Sequence, residues 1–290
     1  MLNSKPLIYF ATVAETGSFT LAAKKLGIAQ PAMSMAIKKL EQHIGVALIH
    51  RYDKSIALTG EGEVLLVHAR QIAQQLRDAE LAMEELKGLE KGEVRFGVPS
   101  MLGSFYFPPL MMGFKARYPN LKLTIIEGGG HTIREMLLRG ELDLGVIPTQ
   151  DAPSSLVTEP LLTPKMVCVC AADSDLAQQQ SIDYETFFDH ELVMYKSGYF
   201  HREIIDKISR QYNLTPNIAF ETNLLPMIVS LVKRGFGISA LIQLVVDEVD
   251  GLVGIPFKDD INFSLSIAWR RSGYLSLADR AFLAFIRQHR

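Results

Sequence analysis

Residues 18–41 read SFTLAAKKLGIAQPAMSMAIKKLE, and the spacing predicts two short helices joined by one tight turn. Ser18 is placed to cap the first helix, its hydroxyl accepting a hydrogen bond from a first-turn amide that has no partner of its own. Leu21, Ala22, Ala23 and Leu26 follow at helical spacing. Gly27 stands where that helix must end, because glycine enters the left-handed region without a Cβ clash. Ile28 plugs the corner, and Gln30-Pro31 restarts a helix, since proline in a first turn has the right φ and gives up only an amide that had no partner. Met33, Ala36, Ile37 and Leu40 form the apolar side of this second helix, while Gln30, Ser34, Met35, Lys38 and Lys39 point outward. In a helix-turn-helix the second helix enters the DNA major groove, and its N-terminal outward residues meet base edges.

A helical hairpin in any globular core would share part of this pattern, and three features argue against that reading. Ala23, four residues before Gly27, offers a small contact where the helices cross. His50 to Thr59, HRYDKSIALT, predicts a short basic hairpin suited to lie as a wing along the phosphate backbone. Charge also separates along the chain: residues 1–60 hold 7 Lys/Arg against 3 Asp/Glu, net +4, so the remaining 230 of the 290 carry 23 against 29, net −6. A basic end on an acidic remainder is an electrostatic footprint of nucleic-acid binding that a whole-chain pI of about 6.4 hides.

The run VAETGSFTLAAKKLGIAQPAMSMAIKKLEQHIGVALIHR, residues 13–51, followed by LTGEGEVLL, residues 58–66, closely resembles the LysR-type transcriptional regulators. Cap, corner, second helix, wing and Thr-Gly-Glu-Gly stretch occur together and in order, and a weaker resemblance extends over the whole length. It implies double-stranded promoter DNA as partner, with Ser18, Gln30, Pro31, Ser34, Met35, Lys38, Arg51, Lys54 and Thr59 at the DNA. Two positions depart from the family pattern. Ala29 stands where a Ser usually precedes Gln-Pro, and Met35 where an Arg usually follows the outward Ser. An arginine there could bond guanine bidentately, worth about 1–3 kcal/mol of discrimination. Recognition therefore leans on Gln30, Ser34, Lys38, thymine methyl contacts from Met35 or Pro31, and the wing.

From Thr59 to about Gly88 the chain predicts one long helix, capped by Thr59, with Glu61 and Glu63 at its positive end and no interrupting proline. Leu65, Ala69, Ile72, Leu76, Ala79, Met83 and Leu86 are spaced 4, 3, 4, 3, 4, 3, which is three heptads of seam. The seam could lie on the helix's own domain. The Gln, Arg and Glu residues around it point instead to a two-fold dimer, in which paired recognition helices about 34 Å apart read two half-sites. In the resembled family this helix is the dimerisation linker, and the resemblance adds a dimer of dimers, with RNA polymerase as a further candidate partner.

Beyond Glu90 strands and helices alternate. Strands are predicted at Glu93–Val98, Leu121–Glu127, Leu142–Ile147, Met166–Ala171, Leu192–Tyr195, Ile218–Phe220 and Phe263–Trp269. Helices are predicted at Gly103–Tyr118, Thr132–Arg139, Phe200–Tyr212, Leu224–Arg234 and from Leu277 onward. This order predicts a mostly parallel sheet. The expected fold class is thus α/β with an all-α, winged N-terminal domain. Residues 1–58 form the winged helix-turn-helix, 59–89 the linker helix and 90–290 the effector domain, with lobe I at about 90–161 and 267–290 and lobe II at about 162–266. The two-lobed part resembles type 2 periplasmic binding proteins, the effector fold of the family.

Ligands of open α/β sheets bind beyond the carboxyl ends of strands, where helix N-termini present free amides. That rule selects Ser100, Met101 and Leu102, then Glu127 and Thr149, in lobe I. It selects Ser197, Tyr199, His201, Thr222 and Asn223 in lobe II. Each also has a plain role as a cap or turn residue; their convergence on one small-molecule, anionic effector is the expectation, which the resemblance strengthens for Ser100, Thr149, Ser197, Tyr199 and Thr222.

The rest of the composition narrows the function. No apolar run approaches the roughly 20 residues of a membrane span, and Met1–Ser18 lacks the form of a secretory leader, so the expected setting is cytoplasmic. Cys168 and Cys170, at i and i+2 of one strand, read as buried thiols on one face, without histidine at zinc spacing. His43, His50 and His68 read as facing solvent or DNA, and Gly128-Gly129-Gly130 lacks the Lys and Ser/Thr of a phosphate loop. No nucleophile-base constellation stands out, so neither enzyme activity nor a cofactor or metal is expected. The alternative is a solute-binding or transferase protein with an incidental helical N-terminus.

Overall fold

A computed structural model of the chain describes residues 2–52, 55–86 and 92–289 and divides into two compact units, Met1–Leu89 and Glu90–Arg290. The first holds α1 (Ser4–Thr16), α2 (Phe19–Leu26), α3 (Gln30–Ile44), the antiparallel hairpin β1 (Ile49–Tyr52) and β2 (Ser55–Leu58), and α4 (Gly60–Leu86). The first helix, which the sequence reading leaves unassigned, begins at Asn3, whose side chain accepts from the Lys5 amide, and stops at Gly17 with φ 61°. It brings Leu7, Phe10 and Val13 into one core with Ala22, Ala23, Met33, Ile37 and Leu40. The helix pair forms as read. Ser18 Oγ accepts from Leu21 N at 3.3 Å, Gly27 adopts φ 66°, and Ile28 N donates to Ala23 O at 3.0 Å to close the corner.

Two expectations change in this unit. Thr59 is buried rather than DNA-facing: its hydroxyl donates to Ala47 O at 2.7 Å and accepts from Gly62 N at 2.9 Å, capping α4 and tying it to the chain before the wing. A Cβ at Gly62 would lie 2.1 Å from Leu48 O, so that tie requires glycine. The long helix is also not a free linker from its first turn, because Leu66 and Ala69 are buried in the N-terminal core and Leu65 packs against it.

Among the described residues the strands of the second unit form two layers, one of five strands and one of three strands with a further pair. The first is ordered β4 (Leu121–Glu127), β3 (Gly92–Val98), β5 (Leu144–Pro148), β12 (Leu265–Arg270), β6 (Leu156–Leu162). Over it lie α5 (Phe107–Arg117), α6 (Gly130–Arg139) and α11 (Leu277–His289). The second is built on β7 (Met166–Ala171) between β10 (Ser239–Ile242) and β11 (Leu252–Pro256). It extends through a parallel bridge, Leu192 to Ile238, to the pair β8 (Leu192–Met194) and β9 (Ile218–Glu221). With it go α7 (Tyr184–Asp189), α8 (Phe200–Tyr212), α9 (Leu225–Lys233) and α10 (Gln243–Glu248).

The sheets are mixed rather than mostly parallel. The strand pairs β3–β4, β3–β5 and β8–β9 are parallel, whereas β12 runs against β5 and β6, and β7 against β10 and β11. The antiparallel strands include those through which the chain leaves one lobe and returns to it, and the return reverses strand direction. At that crossing Leu162 pairs with Leu265, and the Thr163 and Ser264 hydroxyls are 3.2 Å apart. β12 therefore joins the first sheet from Leu265, slightly earlier than the boundary read from sequence. The helix expected at Gly103–Tyr118 is split into a wide π turn, Leu102–Tyr106, and α5. Pro108 and Pro109 occupy the first turn of α5 and withhold the amides that would bond back regularly.

Candidate functional site

The outward face of α3 is built by burial of the opposite one. Met33 and Ile37 are inaccessible and Leu40 nearly so, while Gln30, Pro31, Met35, Lys38 and Lys39 are exposed and Ser34 half-buried. The N-cap of this helix, Ala29, supplies no side-chain hydrogen bond; Pro31 has no amide to cap, and the Ala32 and Met33 amides donate to the Ala29 carbonyl. Ser18, at the start of α2, spends its hydroxyl on the cap. Lys24 and Lys25 are exposed at the end of α2, where Lys25 pairs with Glu15 at 3.5 Å and Lys24 adds positive charge. The wing hairpin forms with His50 exposed; Lys54 and the side chain of Arg51 lie outside the described residues. His43 and His68 are exposed as well.

Along α4, Ile72, Leu76, Ala79 and Met83 are exposed on one stripe, with Met83 at 54%. Ala69 and Leu65, the first two positions of the expected seam, are taken by the N-terminal core, because α1 packs against this end of the helix. The side chain of Leu86 lies outside the described residues.

The strand-end residues of the two lobes meet. Ser100, after β3, has its hydroxyl 2.8 Å from the Tyr195 hydroxyl, after β8. Tyr199 donates to Glu127 Oε1 at 3.0 Å, joining the end of β4 to the start of α8. Burial raises the Tyr199 phenol to about 12, with the Glu127 charge adding to the shift. Burial likewise raises the Tyr195 phenol, against the bond from Ser100. Both phenols are therefore neutral at physiological pH, and Tyr199 is the donor to Glu127. Between these bonds the backbones touch, since a Cβ at Gly129 would lie 2.1 Å from Gly198 O. The triple-glycine run thus allows close approach of the lobes.

His201 is 1% exposed beneath this contact, with its ring centroid 4.0 Å from that of Tyr195 in an edge arrangement. Neither ring nitrogen has a hydrogen-bond partner among the described residues, and burial holds its pKa down at about 3. Arg202 beside it is committed to Asp206, Glu221 and the Tyr195 carbonyl.

Other expected ligand groups have different surroundings. Met101 and Leu102 bury their side chains in the hydrophobic core, so only their backbone amides remain as candidate ligand groups. The Thr149 hydroxyl lies 2.7 Å from the Ser266 hydroxyl and 3.1 Å from Ser264 O, which fastens it to the returning strand. Ser197 and Asn223 are exposed. Thr222 accepts from Leu224 N in a local turn, and Leu224, not Thr222, is the N-cap of α9. Tyr195 was legible as a strand-end residue but not as a contact; the interlobe role of Gly129 and Gly198 had no local signal. Cys168 and Cys170 are buried free thiols, with burial raising both pKa values. Low thiolate content leaves little nucleophilic reactivity. Among the described residues no group of three or more His, Cys, Asp or Glu is placed to hold a metal, and no helix is long and apolar enough to cross a membrane.

Comparison with known proteins covers both units. Residues 5–63 match the model of the bacterial regulatory helix-turn-helix protein, lysR family, and residues 87–290 match the LysR substrate binding domain. The chain is 30% identical to the uncharacterized HTH-type transcriptional regulator YbhD of Escherichia coli, over 96% of this chain and 88% of that protein. A full-length OxyR variant from Pseudomonas aeruginosa is similar in structure, with a TM-score of 0.79 and 26% identity over 99% of this chain and 95% of that one. CbnR complexed with its target DNA shares the fold, with a TM-score of 0.67 and 18% identity over the full length of both chains. The family match spans most of the chain and includes the lobes as well as the helices, which removes the reading of the N-terminus as an incidental appendage. With a helix-turn-helix whose outward face is basic and two α/β lobes meeting at their strand ends, the chain belongs to the LysR family of transcriptional regulators.

Proposed function

We propose that this chain is a cytoplasmic, ligand-responsive regulator that reads promoter DNA with Gln30, Pro31, Ser34, Met35 and Lys38, with Arg51 and Lys54 of the wing on the phosphates. The observation that carries the reading is the exposure of these α3 side chains opposite a buried Met33–Ile37–Leu40 face. Ser18 and Thr59 set the helix ends that hold this surface. Ile72, Leu76, Ala79 and Met83 pair two chains, and two such dimers form the promoter-bound assembly, from which RNA polymerase is contacted.

The effector binds where the lobes meet. Ser100, Glu127, Ser197, Tyr199, Thr222 and Asn223 are its candidate contacts. A small polar molecule suits the place: an anionic group for the amides after Ser100 and at the start of α8, where Tyr199 gives no side-chain cap, and a donor for Glu127. Such a ligand exchanges the Ser100–Tyr195 and Tyr199–Glu127 bonds for its own. It biases the lobes only by its differential affinity for their two arrangements, typically about 1–3 kcal/mol of coupling.

Gel-shift titration of the full-length chain with DNA from upstream of its own coding region tests the DNA reading. Binding should weaken steeply with salt, and Lys38→Ala should reduce both affinity and the salt slope. Salt-insensitive binding, or none, would overturn it.

A further inference from the structure

We propose that Met35 is a specificity-determining residue of the DNA surface and that it reads the C5-methyl group of a thymine. This inference rests on α3 being the DNA-reading helix. With about 100° between successive helical residues, the buried Met33, Ile37 and Leu40 centre on one side of α3, and Met35 falls almost opposite that centre. It is 61% exposed, in the second turn, between Pro31 and Lys38. The middle of the basic face is therefore held by an apolar side chain.

Among the described residues of its own unit, none covers it. Met35 stands at the edge of an open recess of about 380 Å³, whose apolar walls come from Leu2, Pro6, Ala36 and Leu40. An unbranched thioether with room to swing can follow a surface that approaches it. The chemistry then selects what it can distinguish. Methionine has no hydrogen-bond donor and only a weak acceptor, so it cannot read the polar edges of guanine, adenine or cytosine. In the major groove the apolar feature that differs between bases is the thymine methyl. Lys38, one turn further on, holds the phosphate or purine side of the same step without competing for that methyl.

The test separates the methyl from the rest of the base. Full-length protein selects its preferred duplex from a random library, and each thymine of that sequence is then replaced singly by deoxyuridine, which keeps the pairing and removes only the methyl. One position facing the second turn of α3 should weaken binding about fourfold, the affinity equivalent of one buried methyl. Met35→Ala should abolish that sensitivity while leaving the response at other positions unchanged, and Met35→Leu should retain it. Insensitivity of the unmodified protein to every deoxyuridine, equal sensitivity in Met35→Ala, or its loss in Pro31→Ala alone would overturn the assignment to Met35. Failure to select any duplex would instead overturn the DNA reading itself, and this assignment with it.

Discussion

The hydroxyls of Ser100 and Tyr195 lie 2.8 Å apart and, beside the Tyr199–Glu127 bond, link the two lobes through residues 95 positions apart in sequence. A half-buried bond of this kind contributes about 0.5–1.5 kcal/mol net. Ser100→Ala and Tyr195→Phe should each destabilise the protein by that order, and the double variant should lose little more than the worse single one. Urea unfolding of all four proteins measures the coupling; strictly additive losses would show that the two hydroxyls act on separate partners.

His201 couples the same region to acid. Its folded pKa of about 3 lies below the ordinary histidine value because burial disfavours the charged ring. The unfolded chain therefore takes up the proton first as pH falls. Stability is full above pH 6.5 and declines below it, by up to about 1.4 kcal/mol per pH unit. His201→Leu should flatten the stability difference between pH 7 and pH 5, read by denaturant titration at both. An unchanged slope would mean that the ring finds a partner when charged.

Asp279 has the opposite sign. Burial, followed by the charge of Asp143, raises its pKa to about 7, while bonds from the Ser276 amide and hydroxyl hold it at the start of α11. The folded state keeps this proton to higher pH than the unfolded state. Its contribution is fully favourable below about pH 4 and is lost as pH rises toward 7. Asp279→Asn should match the parent near pH 4 and exceed its stability at pH 8 by about 1–4 kcal/mol in urea melts, with no gain expected if the carboxyl is ionised at both.

Ala29 leaves α3 without a side-chain cap. Ala29→Ser should raise stability by about 0.5–2 kcal/mol, since a serine hydroxyl at this position offers a side-chain acceptor to the Ala32 amide, which now donates to Ala29 O at 3.1 Å. Thermal melts at fixed protein concentration would show the rise, and a lower midpoint would argue that the Ala32 amide is better served by the Ala29 carbonyl.

The stripe on α4 divides into two kinds of position. Leu76→Glu should shift the chain toward monomer in sedimentation while leaving its circular dichroism intact, because Leu76 is exposed. Ala69→Glu places a charge in the N-terminal core and should impair folding itself. Identical behaviour of the two variants would remove the distinction.

The helix pair at Ser18–Glu41 could be read from sequence because its determinants are local. A serine cap, a left-handed glycine, a first-turn proline and an apolar stripe at helical spacing each act within a few residues. The same holds for the strand-helix alternation after Glu90. The first helix is not legible locally, because its apolar residues gain their meaning only from the core they share with α3 and α4.

What the chain alone determined is thus the helix-turn-helix, the long helix and the α/β order, all set by dihedral preference and short-range periodicity. Tertiary structure decided which expected groups are free to act. Packing took Ala69 and Thr59 into the N-terminal unit and Met101 and Leu102 into the lobe core. It also brought Ser100 to Tyr195 and Gly129 to Gly198. Residues so far apart in sequence meet only after strand crossings fix their distance, and no local spacing encodes that contact.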